Sequence, residues 1–126
     1  MELNAISENY LGFLKILAYA INEIMLQSFM SFLMEREKLC KLGKAIKVID
    51  SHIVCINNGD NIFGIGDYLI AVKNKKIKVL EIKTLQINGK SIERLEKTNN
   101  DVGIGLEKRD DIKINQEYSF YLCKYN

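Results

Sequence analysis

IGDYL at residues 65–69 indicates the fold of this chain, together with KVLEI at residues 78–82 and DVGIGL at residues 101–106. Each segment is a short run of residues with high β propensity, and glycine and other turn-forming residues separate the runs. Apolar and polar residues alternate here with the period of two that is typical of a strand. The pattern predicts a small antiparallel β-barrel, because a closed barrel leaves no strand edge exposed.

The predicted barrel occupies residues 43–126 and contains six or seven short strands at intervals of about ten residues. Turn-forming clusters lie at residues 57–60, 74–76 and 99–101, and Asn88-Gly89 is the strongest hairpin signal in the chain. The glycine pairs at 64–66 and 103–105 do not continue into the glycine-rich opening of a helix that a phosphate-binding loop needs. We therefore expect those glycines to serve turns and bulges.

Residues 1–42 form a second, strongly apolar segment. Polar side chains recur every three to four residues from Glu8 to Glu35, which is the helical period. Ser7 is expected to cap the start, and Gly43 is expected to stop the helix. The segment is predicted to be one long helix, or two helices with a break near Ser28 or Ser31. The expected fold class is therefore α+β, mainly β, with a helical segment followed by the barrel.

The apolar arc of this helical segment is wider than one face of a small barrel can cover. An uncovered apolar face usually marks a partner, so we expect a protein partner here and prefer a second copy of the chain. The side chains expected to carry this contact are Leu14, Leu17, Ile21, Ile24, Phe29 and Phe32. The residues from Met34 to Lys38 would also suit a translation start, and a chain that began at Met34 would retain the barrel without this segment.

A membrane-associated protein is the alternative, with helix 10–34 at or in the membrane and the barrel in the cytosol. The segment has the length of a membrane span. However, Glu23 lies next to Asn22 near its centre, and a charge at that depth costs about 2.5 kcal/mol or more. Self-association is therefore the preferred interpretation of the apolar arc, and contact with a membrane is the weaker one.

Composition points to a folded protein of a reducing compartment, which we take to be the cytoplasm. The chain is 48% hydrophobic and 27% charged, with a net charge of +2, so disorder is not expected. Its three cysteines are odd in number and include no CxxC pair, which predicts free thiols rather than a disulfide framework. With a single histidine in the sequence, neither a metal site nor a cofactor is expected.

No catalytic residues are expected, and the protein is predicted not to be an enzyme. His52 is the only side chain whose ordinary pKa lies near neutrality. Cys55 is three residues away, so in a strand the two side chains point to opposite faces and make a poor dyad. Asp110 and Asp111 are adjacent in a predicted loop, where carboxylates are usually solvated. An enzyme would need a pocket that brings His52 to a cysteine through the fold.

The order of segments in the barrel resembles a known family. A turn with glycine and aspartate at 64–67 precedes a strand, and then come a long strand, Asn88-Gly89, a returning strand, DVGIGL at 101–106 and a charged linker at 107–112. This order resembles the second domain of translational GTPases of the EF-Tu class, over residues 43–124. It is also similar to the C-terminal barrel of U32-family peptidases. A second glycine–aspartate pair, usual before the last strand of that family, is replaced here by INQE at 114–117.

The resemblance implies a translation-factor-like β-barrel, and it implies no GTP hydrolysis because the chain contains no P-loop. Residues 44–126 are mildly basic, with 14 basic and 11 acidic side chains. Barrels of this kind often contact RNA through cationic and aromatic side chains. The residues expected to contact RNA, a ribosome or a protein partner are Lys73, Lys75, Lys76, Lys78, Lys83 and Tyr68. A solvated strand face is the competing interpretation, because glutamates in neighbouring strands can neutralise the lysines.

The sequence thus predicts a non-enzymatic interaction module. Its barrel would contact RNA or a ribonucleoprotein, and its N-terminal helix would hold two or more copies together. The membrane-associated accessory protein described above remains the alternative.

Overall fold

The computed structural model describes residues 3–20, 22–96 and 100–125. Two helices come first, α1 (Glu8–Ala20) and α2 (Glu23–Glu35), and eight strands follow within the described residues. The predicted class, helices followed by a mainly β antiparallel domain, is confirmed. The strands are β1 (Leu39–Lys44), β2 (Lys47–Ile49), β3 (Ile53–Asn57), β4 (Tyr68–Lys73), β5 (Lys76–Ile87), β6 (Lys90–Ile92), β7 (Asp101–Leu106) and β8 (Ser119–Cys123).

All strand pairings are antiparallel, in the order β1-β8-β4-β5-β7-β3-β2, and β6 pairs with the end of β5. No ladder joins the two outermost strands, β1 and β2, so the barrel is loose rather than closed by hydrogen bonds. These two strands are consecutive in the chain, and only residues 45–46 separate them. The polypeptide itself therefore links the two edges of the sheet.

The long strand β5 connects the two halves of the sheet. Its first half pairs with β4, and its second half pairs with β7 and β6. A register shift between Ile82 and Thr84 lies where the partner changes, and such a bulge bends a strand. The predicted Asn88-Gly89 hairpin is confirmed, since both residues have positive φ and β6 pairs back onto β5.

The strand β4 separates two hydrophobic cores. Leu69 and Ala71 point into the barrel interior, where they pack with residues such as Phe63 and Phe120. Ile70 points the other way, into a cluster formed with α1, α2 and the outer faces of β5 and β8. A strand that is buried on both faces has apolar residues at successive positions. This explains the sequence YLIAV at 68–72.

The predicted break near Ser28 or Ser31 is wrong, because the interruption lies between Ala20 and Glu23. Asn22 caps α2, and its Oδ1 accepts a hydrogen bond from the Met25 N–H at 3.2 Å. Both serines lie inside α2. The cap prediction for Ser7 is confirmed, since its Oγ accepts from the Tyr10 N–H at 3.2 Å.

The predicted stop at Gly43 is also wrong, because α2 ends eight residues earlier. Glu37 adopts φ 57°, and its N–H donates to Met34 O while the Lys38 N–H donates to Leu33 O at 2.8 Å. This pair of bonds is a Schellman motif, formed here without glycine. Gly43 lies within β1 at a bulge opposite Phe120, so the expected domain boundary at 42/43 falls inside a strand.

Candidate functional site

The predicted lysine cluster is divided between two places. Lys73, Lys75 and Lys76 lie at the β4–β5 turn, which we call the lysine hairpin (residues 73–76), and Lys73 is directly opposite Lys76. Lys78 is two residues after Lys76 in β5, so the two side chains lie on the same face of the strand. Lys83 lies at the bulge, about 16 Å further along the strand at the usual rise per residue. The structure therefore does not bring all five lysines together.

Two of these lysines have carboxylate partners. Lys73 is ion-paired with Glu117, and this hydrogen bond raises the pKa of Lys73 and lowers the pKa of Glu117. Lys83 Nζ is 3.0 Å from Glu81 Oε2, and that hydrogen bond raises the pKa of Lys83. Within the described residues, Lys75 and Lys76 are exposed and have no ion pair. The free positive charge of the lysine hairpin thus resides on Lys75 and Lys76.

Tyr68 does not lie on the surface where the sequence placed it. Its side chain points towards α1, the residue is only 8% exposed, and its ring packs edge-on against Tyr125. Lys15 Nζ lies 4.7 Å from the ring centroid and 3.5 Å from the hydroxyl oxygen. Tyr68 is therefore a packing residue of the helix–sheet core and cannot stack on a base.

The residues expected to hold a partner helix have different positions. Leu14 and Leu17 are buried against the chain's own sheet. Phe29 and Phe32 are half-buried in an aromatic seam between the helices, where Phe29 contacts Tyr10 and Phe13 edge-on. Ile24 is 80% exposed. Ile21 lies outside the described residues.

The helix pair nevertheless leaves an apolar surface uncovered, which we call the outer helix face (Phe13, Ile16, Ile24 and Met25). Phe13 and Ile16 are one turn apart on α1, and Met25 is one turn before Phe29 on α2. Phe13 contacts Phe29 at 4.9 Å between centroids, so these turns of the two helices lie side by side. All four members of the face are exposed, Ile16 to 65%. The helical period contained this signal, but it did not distinguish the outer side from the sheet-facing side.

His52 lines a small cavity of about 170 Å³ between the β2–β3 turn and residues 106–114. Its Nδ1 is 2.8 Å from the carbonyl oxygen of Asp50. Cys55 belongs to the middle of β3, opposite Gly103. The third thiol, Cys123, is fully buried, and desolvation raises its pKa to about 12. The structure therefore does not assemble a Cys–His pair around this cavity.

The glycine–aspartate turn before β4 is a structural element. Asp67 is fully buried, and its two carboxylate oxygens accept hydrogen bonds from the N–H groups of Gly64 and Tyr125, each at 2.8 Å. Gly66 has a φ of 97°, which favours glycine. A Cβ on Gly64 would lie 2.9 Å from the carbonyl oxygen of Glu93. This motif therefore closes a turn and ties it to β8 and to the β6–β7 connection.

In the part of the chain that the structure describes, no group of three or more His, Cys, Asp or Glu side chains could hold a metal ion. Over the same residues, neither helix is long and apolar enough to cross a membrane. Comparison of the chain with protein-family models and with curated protein sequences finds no match.

Proposed function

We propose that this chain is a non-enzymatic interaction module that self-associates through the outer helix face and contacts RNA through the lysine hairpin. The observation that carries the proposal is the exposure of Ile16, Ile24, Phe13 and Met25 on one side of the helix pair. Leu14 and Leu17 on the opposite side already pack on the sheet. The exposed side chains thus belong to a second apolar surface that the chain's own fold leaves unused.

A second copy is the occupant we favour. Apolar patches flanked by polar groups mark protein contacts, and a two-fold dimer lets the same patch cover itself. Burial of Ile16 and Ile24, the two most exposed members of this face, would provide up to roughly 1.5–3 kcal/mol each, and Phe13 and Met25 would add less because they are already about half buried.

Self-association is tested by the double variant Ile16→Glu/Ile24→Glu, which puts charges into the outer helix face. The variant is expected to be monomeric by sedimentation velocity, because an unpaired charge cannot be buried in an apolar contact. Ile46→Glu is the matched control, since Ile46 is 58% exposed in the connection between β1 and β2, where its N–H donates to Cys55 O of β3. An unchanged sedimentation coefficient in the double variant, or an equal effect of Ile46→Glu, would contradict this part of the proposal.

The RNA contact rests on the unpaired charge of Lys75 and Lys76. Two lysines projecting from a tight turn can approach adjacent phosphates, and their binding should depend strongly on salt. The fold adds support of a general kind, because small antiparallel barrels present such turns to single-stranded RNA. We place the barrel in the translation-factor class on the order of its segments, including the Asp67 turn that leads into β4.

The variant Lys75→Glu/Lys76→Glu is expected to lose affinity for a fluorescently labelled single-stranded oligouridylate. The slope of log affinity against log salt should become shallower by about 0.7 for each lysine removed. Lys90→Glu on the distant β5–β6 hairpin is the control, with similar exposure and the same change in charge. If the double variant and the control bind equally well, the lysine hairpin is a solvated turn and the RNA contact is wrong.

The alternative function is contact with a membrane interface through the same exposed side chains. It is favoured by the position of Ile16, Tyr19, Ile24 and Met25 near the junction of the two helices. Such a helix pair would lie at the interface rather than span the bilayer. Co-sedimentation with anionic vesicles, lost in Ile16→Glu/Ile24→Glu and accompanied by a monomeric wild type, would support this alternative over self-association.

We also propose a reducing compartment such as the cytoplasm. Cys40, Cys55 and Cys123 are all free thiols, and such thiols persist where disulfides are kept reduced.

A further inference from the structure

The first half of β5 has one paired edge and one open edge. On one side, β4 pairs with residues 76–81. On the other side, β7 pairs with β5 only from Ile82 onward, and the last backbone bond runs from the Glu107 N–H to Glu81 O at 2.9 Å. Among the described residues, no strand continues this pairing along residues 76–80. The sheet therefore presents a short free edge at this point.

The backbone groups at this edge can be identified from the register. Ile82 donates its N–H to Asp67 O at 2.8 Å, so the even-numbered residues of β5 direct their backbone groups towards β4. The odd-numbered residues direct theirs the opposite way. The Glu81 N–H is already taken by Glu107 Oε1 at 2.9 Å. Ile77 and Val79 thus place two donors and two acceptors on the open edge, about 7 Å apart along the strand.

This edge forms the floor of a groove of about 550 Å³ between α1 and residues 107–111, which we call the edge groove. Ala18 and Tyr19 line it from the helix, and Tyr19 is 91% exposed. The side chains of Ile77 and Val79 point towards α1, whereas that of Lys78 points to the opposite face of the strand. The side chains of a peptide bound along this edge would therefore alternate between an apolar face next to α1 and a cationic face next to Lys78.

The charge of the edge groove is positive. Lys15, Lys78 and Arg109 line it, against the two carboxylates of Glu107 and Asp111. The Glu107 carboxylate already accepts the Glu81 N–H. Asp111 is 3.9 Å from Arg109 Nε, and both side chains are largely exposed, so this ion pair is weak. An acidic ligand would be complementary to the cations that remain.

We propose that the edge groove binds an extended acidic peptide, which adds a short strand to the open edge of β5. Main-chain bonds to Ile77 and Val79 provide the pairing, as in other cases of strand addition. The side chains of Ile77 and Val79 are themselves buried against the helix core, so apolar side chains of the peptide lie against Ala18 and Tyr19, and acidic ones approach Lys78. A peptide backbone matches this edge better than the phosphate groups of RNA do, because a phosphate accepts hydrogen bonds but cannot donate to the free carbonyl groups.

The free protein provides the first test, by amide hydrogen exchange. The N–H groups of Ile77 and Val79 should exchange faster than those of Lys78 and Leu80, which are bonded to β4. Uniform protection of all four amides would mean that the edge is closed, and it would overturn the proposal.

The second test uses a fluorescent heptapeptide of alternating glutamate and valine, blocked at both ends. Two N-methylated versions of the peptide serve as matched probes. In an extended peptide, alternate amides lie on opposite edges, and each version carries methyl groups on the amides of one edge only. We expect binding by fluorescence anisotropy, loss of binding in one methylated version only, and slower exchange at Ile77 and Val79 in the complex. Absence of binding, or equal binding of both methylated peptides, would overturn the proposal.

The variant Lys78→Glu should weaken peptide binding roughly tenfold by charge repulsion, whereas Lys90→Glu, on the distant β5–β6 hairpin, should leave it unchanged. Thermal unfolding of each variant shows whether the fold is retained. Because the RNA contact resides on Lys75 and Lys76, failure of one proposal does not imply failure of the other. Oligouridylate that displaces the peptide and protects Ile77 and Val79 from exchange would assign the edge groove to RNA instead.

Discussion

Asp67 joins three parts of the chain through its buried side chain and its main-chain carbonyl. Its carboxylate accepts the N–H groups of Gly64 in the turn and Tyr125 beyond β8, and its own carbonyl accepts from Ile82 in β5. A buried carboxylate is tolerated where hydrogen bonds compensate for lost hydration. The glycines and the aspartate at 64–67 thus have a structural role in this fold.

Substitution Asp67→Ala is expected to destabilise the protein by roughly 3 kcal/mol or more, since each orphaned buried donor costs about 1–3 kcal/mol. Urea unfolding followed by circular dichroism measures the loss. Asp110→Ala is the control, because Asp110 is exposed on the loop between β7 and β8. A loss no larger than that of the control would refute the assigned role of Asp67.

Burial of the Cys123 side chain changes the pKa of its thiol. Desolvation, with a smaller contribution from the charge of Asp67, raises its pKa to about 12. The folded state therefore holds the thiol proton more tightly than the unfolded state does. Its contribution to stability is complete below the ordinary thiol pKa and is lost as the pH rises towards 12.

Iodoacetamide at mildly alkaline pH is expected to label Cys40 and Cys55, which are partly exposed, well before Cys123. Wild-type protein should also lose more stability between pH 8 and pH 10 than Cys123→Ala does. Labelling of all three thiols at similar rates under native conditions would show that the helix–sheet core opens readily. Equal pH dependence in the two proteins would contradict the raised pKa.

Residue-level features were predictable where the cause is local. The alternation of β5 correctly assigned Lys76 and Lys78 to one face. The partner of Lys73 was not predictable, because Glu117 is 44 residues away in sequence and meets it only through the pairing of β4 with β8. The burial of Tyr68 was missed for the same reason, since it depends on where α1 packs.

At the scale of elements, β7 shows how the sheet depends on small residues. Gly105 lies opposite Thr84 at the bulge of β5, and a Cβ there would be 1.9 Å from Thr84 Oγ1. Gly103 is two residues earlier in the same strand, and a Cβ on it would make only ordinary contacts at 3.8 Å. The same glycine-to-alanine change should therefore have different effects at the two sites.

Gly105→Ala is expected to destabilise the protein by about 1–3 kcal/mol, the usual range for overpacking, whereas Gly103→Ala should be nearly neutral. Thr84→Ala should recover part of the loss at Gly105 because it removes the nearest atom. Chemical unfolding of the four proteins measures these differences. Equal effects at Gly103 and Gly105, or no recovery in the double variant, would contradict the contact.

Secondary-structure elements were predicted well where the turn residues and the alternation of apolar residues indicate the same structure, as at the Asn88-Gly89 hairpin. The strand β1 was missed because residues 39–42 continue the apolar period of the preceding helix. Its strand form depends on pairing with β8, where Leu39 lies opposite Cys123. The helix break was misplaced for a similar reason. Ser28 and Ser31 do not interrupt α2, because the helical turns on both sides of them pack against the rest of the protein.

At the scale of the whole molecule, the helices and the outer face of the sheet share the second of the two cores. Ile70, Val79 and Cys123 of the sheet pack with Leu14 and Leu33 of the helices. A chain beginning at Met34 would expose this apolar sheet face and is expected to aggregate. Its mass in solution would therefore not show whether the helices mediate assembly. Point substitutions in the outer helix face are therefore the cleaner way to separate assembly from folding.

The proposed function requires the outer helix face to hold two or more copies of the chain together. Light scattering on the purified full chain, over a dilution series, measures this most directly. We predict a mass of at least twice the 14.5 kDa of one chain at high concentration, falling towards the single-chain mass on dilution. A mass of one chain at every concentration would contradict the claim.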